Sequence, residues 1–262
     1  MNQNLLNEIP IKTEKSYLAI YDLPESIIID NCVEEINGKL LKNPPIVVCG
    51  KPAQQHRSIG FFSITDEKNE PVLEGYKYSG QLAKSQPITP HLLKLLEYVN
   101  SQFGTKYNGI LVNKYENGED SIGDHSDDEK FLDPVGVACI SWGEIRKFRV
   151  RDKKTKTIIK DIPTIANKIM LMGGDFQKEF THGIPVEKKK TNARISFTFR
   201  SHKIDIKQPA IKSEDYIGRY CGDIYGCGFT GLKNDQCNLC VKCNPMLYWL
   251  KRRNPPRPDM IM

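Results

Sequence analysis

No stretch of the chain approaches the roughly twenty consecutive apolar residues that a membrane-crossing helix needs, so no membrane span is expected in a sequence that is 39% hydrophobic. The first residues, Met1-Asn2-Gln3-Asn4-Leu5-Leu6-Asn7-Glu8, lack the basic start and apolar centre of a secretory signal. An intracellular protein is the expectation. Disulfide potential is small over most of the length, because five of the eight cysteines fall between Cys221 and Cys243. In a reducing compartment such a cluster reads as metal-binding rather than as a disulfide framework. Charge of one sign is not in large excess either: the net charge of +6 is a mild bias toward an anionic partner and proves none. The 262 residues allow one large domain, or one domain and a small module.

What is there begins with a mixed polar and apolar segment up to Asn43, in which Tyr17-Leu18-Ala19-Ile20-Tyr21 and Ile27-Ile28-Ile29 read as short strands or buried turns. Pro44-Pro45 breaks the chain, and Ile46-Val47-Val48-Cys49 reads as a β-branched strand closed by Gly50. The clearest helix lies between Pro87 and Phe103. Pro90 suits its first turn, Thr89 its N-cap, and Leu92, Leu93, Leu95, Leu96 and Val99 supply an apolar face. His91, in that first turn, has no metal-binding neighbours in sequence and reads as a surface residue. Tyr107 to Tyr115 is a strand, and short strands recur at Val137–Trp142, Lys147–Arg151, Thr157–Ile159, Lys168–Met172 and Arg194–Phe199. Gly173-Gly174-Asp175 marks one of the turns between them. Short strands at this spacing predict a sandwich or barrel. The expected class is mainly β (α+β), with flanking helices.

The chemistry centres on Asn113 to Glu129. His125-Ser126-Asp127 sets an imidazole and a carboxylate two residues apart, on one face of an extended segment. His182 is the best downstream candidate for a third ligand. Two histidines and a carboxylate on one face of an octahedral ion leave three positions open, which suits non-haem iron(II). Further on, Arg194-Ile195-Ser196-Phe197-Thr198-Phe199-Arg200 alternates as a strand and carries cations able to hold a dicarboxylate.

Asn113-x-Tyr115-x-x-Gly118, Ile122-Gly123-Asp124-His125-Ser126-Asp127-Asp128-Glu129, His182-x-Ile184-Pro185 and Arg194-x5-Arg200 together resemble the AlkB family of iron(II)- and 2-oxoglutarate-dependent nucleic-acid dealkylases, its repair branch in particular. The resemblance runs from about Ile46 to Lys203. It implies a double-stranded β-helix (jelly-roll) core using Fe(II), 2-oxoglutarate and O2, with iron on His125, Asp127 and His182. It also implies 2-oxoglutarate on Asn113, Tyr115, Arg194, Ser196, Thr198 and Arg200. In this pattern Arg200 meets the distal carboxylate and Arg194 the end nearer the iron. The implied reaction is oxidative demethylation of 1-methyladenine and 3-methylcytosine in DNA or RNA, releasing formaldehyde with succinate and CO2. Other substrates of the same chemistry, N6-methyladenine in RNA or a protein, are the alternative, and a nucleic-acid-binding module with a vestigial oxygenase fold is another.

A recognition lid is expected over residues 48–80, with Arg57, Tyr76, Tyr78, Ser79, Asp128 and Glu129 as substrate contacts. Each has an ordinary counterpart. Arg57 either meets phosphate or is an exposed solubilising residue. Tyr76 and Tyr78 either stack on a flipped base or are half-buried strand residues, and Asp128-Glu129 is either a base-edge acceptor pair or a solvated acidic run. Cys49 stands where the family carries a duplex wedge, so single strands are slightly favoured, unless the thiol is only a small buried apolar group. The Lys153-Lys154-Thr155-Lys156 and Lys188-Lys189-Lys190 loops are solvated hairpin tips or a phosphate-binding rim.

The tail is a different kind of sequence. Cys221, Cys227, Cys237, Cys240 and Cys243 are too close for a regular disulfide framework, and four of the five suffice for a tetrahedral zinc site. Nine Lys/Arg against five Asp/Glu follow Asp205, with Phe229, Tyr248 and Trp249 among them, a composition that suits nucleic acid or a stabilising cap. The expected layout is an extension over 1–45, the dioxygenase domain over 46–205 and a basic zinc module over 206–262, in a monomer.

Overall fold

A computed structural model describes residues 6–48, 51–78, 81–127 and 136–203. The expectations for Cys49, Ser79, Asp128, Glu129 and the cysteine-rich tail lie outside the described residues.

Among the described residues the chain runs β1 (Leu6–Lys12), β2 (Ser16–Asp22), α1 (Ile29–Glu35), β3 (Pro45–Val48), β4 (Lys51–Gln54), β5 (Ser58–Ser63), β6 (Gly75–Tyr78), β7 (Gln81–Pro87), α2 (Pro90–Phe103), β8 (Gly109–Tyr115), β9 (Ile122–His125), β10 (Val137–Gly143), β11 (Lys147–Asp152), β12 (Ile158–Pro163), β13 (Lys168–Gly174), α3 (Phe176–Glu179), β14 (Phe180–Ile184) and β15 (Arg194–Arg200). Nine strands form the large sheet, in the order β1-β2-β13-β10-β15-β8-β5-β7-β6. Four form the small sheet, β12-β11-β14-β9, and β3 and β4 pair as a separate hairpin. This is the jelly-roll core.

Strand β15 shows how the sequence builds it. All seven residues are buried, yet they alternate in kind as a two-residue period requires. Ile195, Phe197 and Phe199 join a core with Leu92, Leu95, Leu96 and Val99 of α2 and Ile29 and Cys32 of α1. Arg194, Ser196, Thr198 and Arg200 occupy the opposite face and line a cleft. A second core joins the two sheets, with Leu18, Ile20, Val137, Met170 and Met172 of the large one meeting Phe148, Val150, Ile162, Phe180 and Ile184 of the small one.

Three local expectations are corrected. Ile27–Ile29 is neither strand nor buried turn: Ile28 is 56% exposed and Ile29 opens α1, where Cys32 and Ile36, three and seven residues on, follow it into the core. Leu93 is 36% exposed although Leu92, Leu95, Leu96 and Val99 are buried, because a helix turns about 100° per residue and carries it off that face. Thr89 holds the N-cap position but makes no side-chain capping bond. Glu35 substitutes for it, accepting 3.0 Å from the His91 backbone N–H and bonding its Nδ1 at 2.7 Å. The segment before Asn43 adds more than an appendage would, since β2 pairs with β13 along its whole length. No helix among the described residues is long and apolar enough to cross a membrane.

Candidate active site

Neighbouring antiparallel strands of the small sheet bring the two histidines together. His125 ends β9 directly across from His182 of β14, and the rings lie 4.5 Å apart. Asp127 follows two residues on, its backbone N–H donating to Gln177 Oε1 at 2.9 Å. His125 Nε2 is 3.8 Å from Asp127 Oδ1, and His182 Nε2 is 3.6 Å from Asp127 Oδ2. One ligand atom from each of the three lies within 4.8 Å of the others. His125 Nδ1 donates to the Gly123 carbonyl at 2.9 Å, so its Nε2 carries the lone pair and faces the cluster. His182 stacks on Phe148, rings 5.0 Å apart and 19° from parallel.

The electrostatics favour the ligating forms. Desolvation, then His125 and Arg200, hold His182 down to about 3, and desolvation also lowers His125. Burial alone would raise Asp127, but Arg200 and the two imidazoles outweigh it and bring the carboxyl down to about 2. At neutral pH the cluster is two neutral imidazoles and a carboxylate, the states a metal requires. Asp127 Oδ2 is buried with no hydrogen-bond partner. A buried carboxylate oxygen in that condition is costly, and a cation beside it would remove the cost. The donor set fits an iron(II) ion.

The large sheet supplies the opposite wall. Ser196 and Arg194 of β15 stand across from Asn113 and Tyr115 of β8, and all four line the cleft with Thr198 and Arg200. Arg194 donates through Nε to Thr164 Oγ1 at 3.1 Å and through Nη2 to Ser141 Oγ at 2.9 Å. Its guanidinium lies 5.3 Å from the Tyr115 ring centroid, and its buried Nη1 has no hydrogen-bond partner. Arg200 Nη2 instead donates to Asp127 Oδ1 at 2.5 Å. This reverses the expected order of the two arginines. Arg200 sits at the histidine cluster, while Arg194, at the far end of the strand, is the one remote from it, because Arg200 alone is level with Asp127.

The mouth also departs from expectation. Arg57 is 5% exposed and is no solubilising residue: its Nε donates to Asn113 Oδ1 at 2.9 Å. Tyr76 is 3% exposed, with the Arg200 guanidinium 4.8 Å from its ring centroid, so it packs on the wall instead of offering a stacking face. Tyr78 is half-buried and stands edge to face with His125, centroids 6.2 Å apart at 76°. Of the lysine loops, Lys190 is bound to Glu144 at 3.1 Å and Lys153 donates to the Gln177 carbonyl at 3.1 Å.

Three contributors are not marked by the sequence motifs. Cys139 and Phe148 line the cleft, and only strand alternation could have indicated them. Arg146 is 1% exposed and donates to the Asn117, Asp120 and Pro185 carbonyls at 2.8, 2.9 and 2.7 Å. It thereby ties the loop entering β9 to the loop leaving β14, the two histidine strands. Its Nε also meets Glu187 Oε2 at 3.2 Å. The cleft is open to solvent at its mouth, and the space between its walls counted out to that mouth is about 520 Å³.

A jelly roll with two neutral histidines and an aspartate at one wall and arginines at the other defines a mononuclear metal site of facial-triad type, with room for an anion. Residues 34–200 match the 2OG-Fe(II) oxygenase superfamily, and the chain belongs to that family. It is 30% identical over 133 residues to the human DNA oxidative demethylase ALKBH2, covering 48% of this chain and 51% of that protein. It is 33% identical over 137 residues to the bovine alpha-ketoglutarate-dependent dioxygenase alkB homolog 3, covering 48% of each. An uncharacterized protein, R406 of Acanthamoeba polyphaga mimivirus, is 30% identical over 135 residues, covering 50% of this chain and 69% of that one. The chain therefore spans about half the length of the first two relatives. The AlkB resemblance of the motifs is borne out by these relatives, and the family match begins at residue 34, ahead of the Ile46 expected from the motifs. Membership implies iron(II), 2-oxoglutarate and O2, with His125, Asp127 and His182 able to bind the metal.

Proposed function

We propose that the chain is an oxidative demethylase of N-alkylated bases, acting on 1-methyladenine and 3-methylcytosine in DNA or RNA with a preference for single strands. The observation that carries this reading is the placing of Tyr78 edge-on to His125, 6.2 Å away. A base stacked on Tyr78 at the mouth would bring its N-methyl group to the metal cluster. That the relatives are named as a DNA oxidative demethylase and a dioxygenase of the alkB type supports it.

Bound iron(II), with 2-oxoglutarate and O2, supplies the power to hydroxylate an N-methyl group, which then leaves as formaldehyde beside succinate and CO2. The chain's own residues bind and orient. Arg194, already held by Thr164 and Ser141 and left with an unpaired buried Nη1, takes the distal carboxylate of 2-oxoglutarate, with the Tyr115 hydroxyl beside it. Asn113, Ser196 and Thr198 line the path toward the cluster. Arg200 holds Asp127 ionised and fixes one of its oxygens. Phe148, Met172 and Ile184 keep part of the wall apolar and limit water there. Asp128 and Glu129 are proposed acceptors for the exocyclic amino group of the base, and Ser79 a further contact. For the tail, four of its five cysteines are proposed to hold a structural zinc, and an intracellular monomer is proposed for the whole.

The test is to incubate the protein with iron(II), ascorbate and 2-oxoglutarate and weigh short oligonucleotides carrying 1-methyladenine or 3-methylcytosine, as single-stranded DNA, duplex DNA and RNA. Loss of one methyl, absent in Asp127→Ala, is expected and is greatest on a single strand. Succinate formed with every oligonucleotide intact would sink the base-demethylase reading and point to N6-methyladenine or a protein substrate. No succinate at all would point to a vestigial fold.

A further inference from the structure

One buried cation of the cleft is unaccounted for by metal or dicarboxylate binding. Arg57, in the turn entering β5, is 5% exposed, and no carboxylate among the described residues pairs with it. Burying a cation on those terms is costly, and its contacts show what holds it. Nε donates to Asn113 Oδ1 at 2.9 Å. A guanidinium has donors only, so the amide oxygen must be the acceptor, and Asn113 Nδ2 is left as the donor for the cleft. The same guanidinium lies 5.6 Å from the Tyr78 ring centroid, in reach of its face.

We infer that Arg57 is a positioning residue that couples the two halves of the substrate site, so that 2-oxoglutarate and an alkylated base each tighten the binding of the other. The inference rests on the demethylase reading above. A dicarboxylate accepting from Asn113 Nδ2 fixes the amide plane, and with it the acceptor that orients Arg57. A fixed guanidinium then holds the Tyr78 ring as a ready platform. Whichever ligand binds first orders this chain of three side chains, and the second binds to what is already ordered. Lysine keeps the charge but lacks both the planar face and the Nε–H, so the charge alone does not reproduce the link.

The experiment measures binding of a fluorescein-labelled single-stranded oligonucleotide with one 1-methyladenine to the full chain. Manganese(II) replaces iron to prevent turnover, with and without saturating 2-oxoglutarate. For the wild type, 2-oxoglutarate is expected to tighten binding about fivefold or more, the low end of usual couplings. In Arg57→Lys that factor is expected to fall to within about twofold of unity, with the thermal midpoint and manganese affinity unchanged, which a merely structural role would not produce. Tyr78→Leu is expected to keep its 2-oxoglutarate affinity and lose the coupling too. Full coupling in Arg57→Lys or in Tyr78→Leu overturns the inference, as does a wild type that binds both ligands with no mutual effect. A wild type that binds 2-oxoglutarate but no methylated oligonucleotide under any condition overturns the demethylase reading, and the inference falls with it.

Discussion

The two sheets of the jelly roll serve the same cleft with different chemistry. The small sheet contributes His125 and His182, neighbours across a pair of short strands. The large sheet contributes the polar face of β15 and its partners on β8, Asn113 and Tyr115, the residues proposed to hold the dicarboxylate. Support differs in the same way. Arg194 and Asn113 lie on adjacent paired strands of the large sheet, and their side chains bond to Thr164 and Ser141 and to Arg57 respectively. The histidine strands are four and five residues long and depend on Arg146, which reaches three carbonyls of the loops that flank them. A site assembled this way should fail in separable ways, the metal through one sheet and the co-substrate through the other.

The largest effect is expected from Asp127→Ala, which removes the anionic ligand: succinate formation should fall to background while the fold survives. On the other sheet, Arg194→Lys should raise the KM for 2-oxoglutarate by about 10- to 100-fold, the worth of a charged hydrogen bond, with kcat and manganese affinity little changed. Equal loss of metal affinity in Arg194→Lys would break the division between the sheets. Arg146→Gln should lower metal affinity by about tenfold, as supporting groups around metal ligands do, and leave the KM for 2-oxoglutarate nearly unaltered at saturating metal.

Acid should expose the buried histidines. His182 and His202 are both held down to about 3, chiefly by desolvation, whereas an unfolded chain takes up protons near pH 6.5. Between these values the unfolded state binds more protons. The stability of the metal-free protein should therefore fall as pH drops below about 6.5, by about 1.4 kcal/mol per pH unit for each histidine. His202→Asn should reduce that slope in urea titrations without abolishing it. The smallest effect belongs to Arg151→Ala. Arg151 pairs with Asp124 at 2.7 Å on the partly exposed outer side of the small sheet, and its loss should cost no more than about 1 kcal/mol and leave metal binding alone.

How much of this was legible in the sequence follows from how local each signal is. His125, Asp127 and His182, and the alternation of Arg194 to Arg200, were readable because strand periodicity and short motif spacing survive in one dimension. The order of the two arginines along the cleft was not, since it depends on which end of β15 is level with Asp127, a matter of register between sheets. Burial of Arg57 could not be read from a residue type that is usually exposed. Tyr76 and Tyr78 share a face as alternation requires, but only the packing of Arg200 distinguishes the wall residue from the platform. In one dimension Leu93, beside Leu92, looks continuous with the apolar stripe, although the helical turn separates them.

The claim that the histidine cluster of the small sheet holds a single ion, beside the co-substrate held by the large sheet, is tested most directly by titrating manganese(II), which favours oxygen and nitrogen ligands over thiolates, into the full chain with and without 2-oxoglutarate. One ion per chain is predicted, bound more tightly when 2-oxoglutarate is present and lost in Asp127→Ala. Manganese binding that survives Asp127→Ala, or that takes no notice of 2-oxoglutarate, would contradict the account.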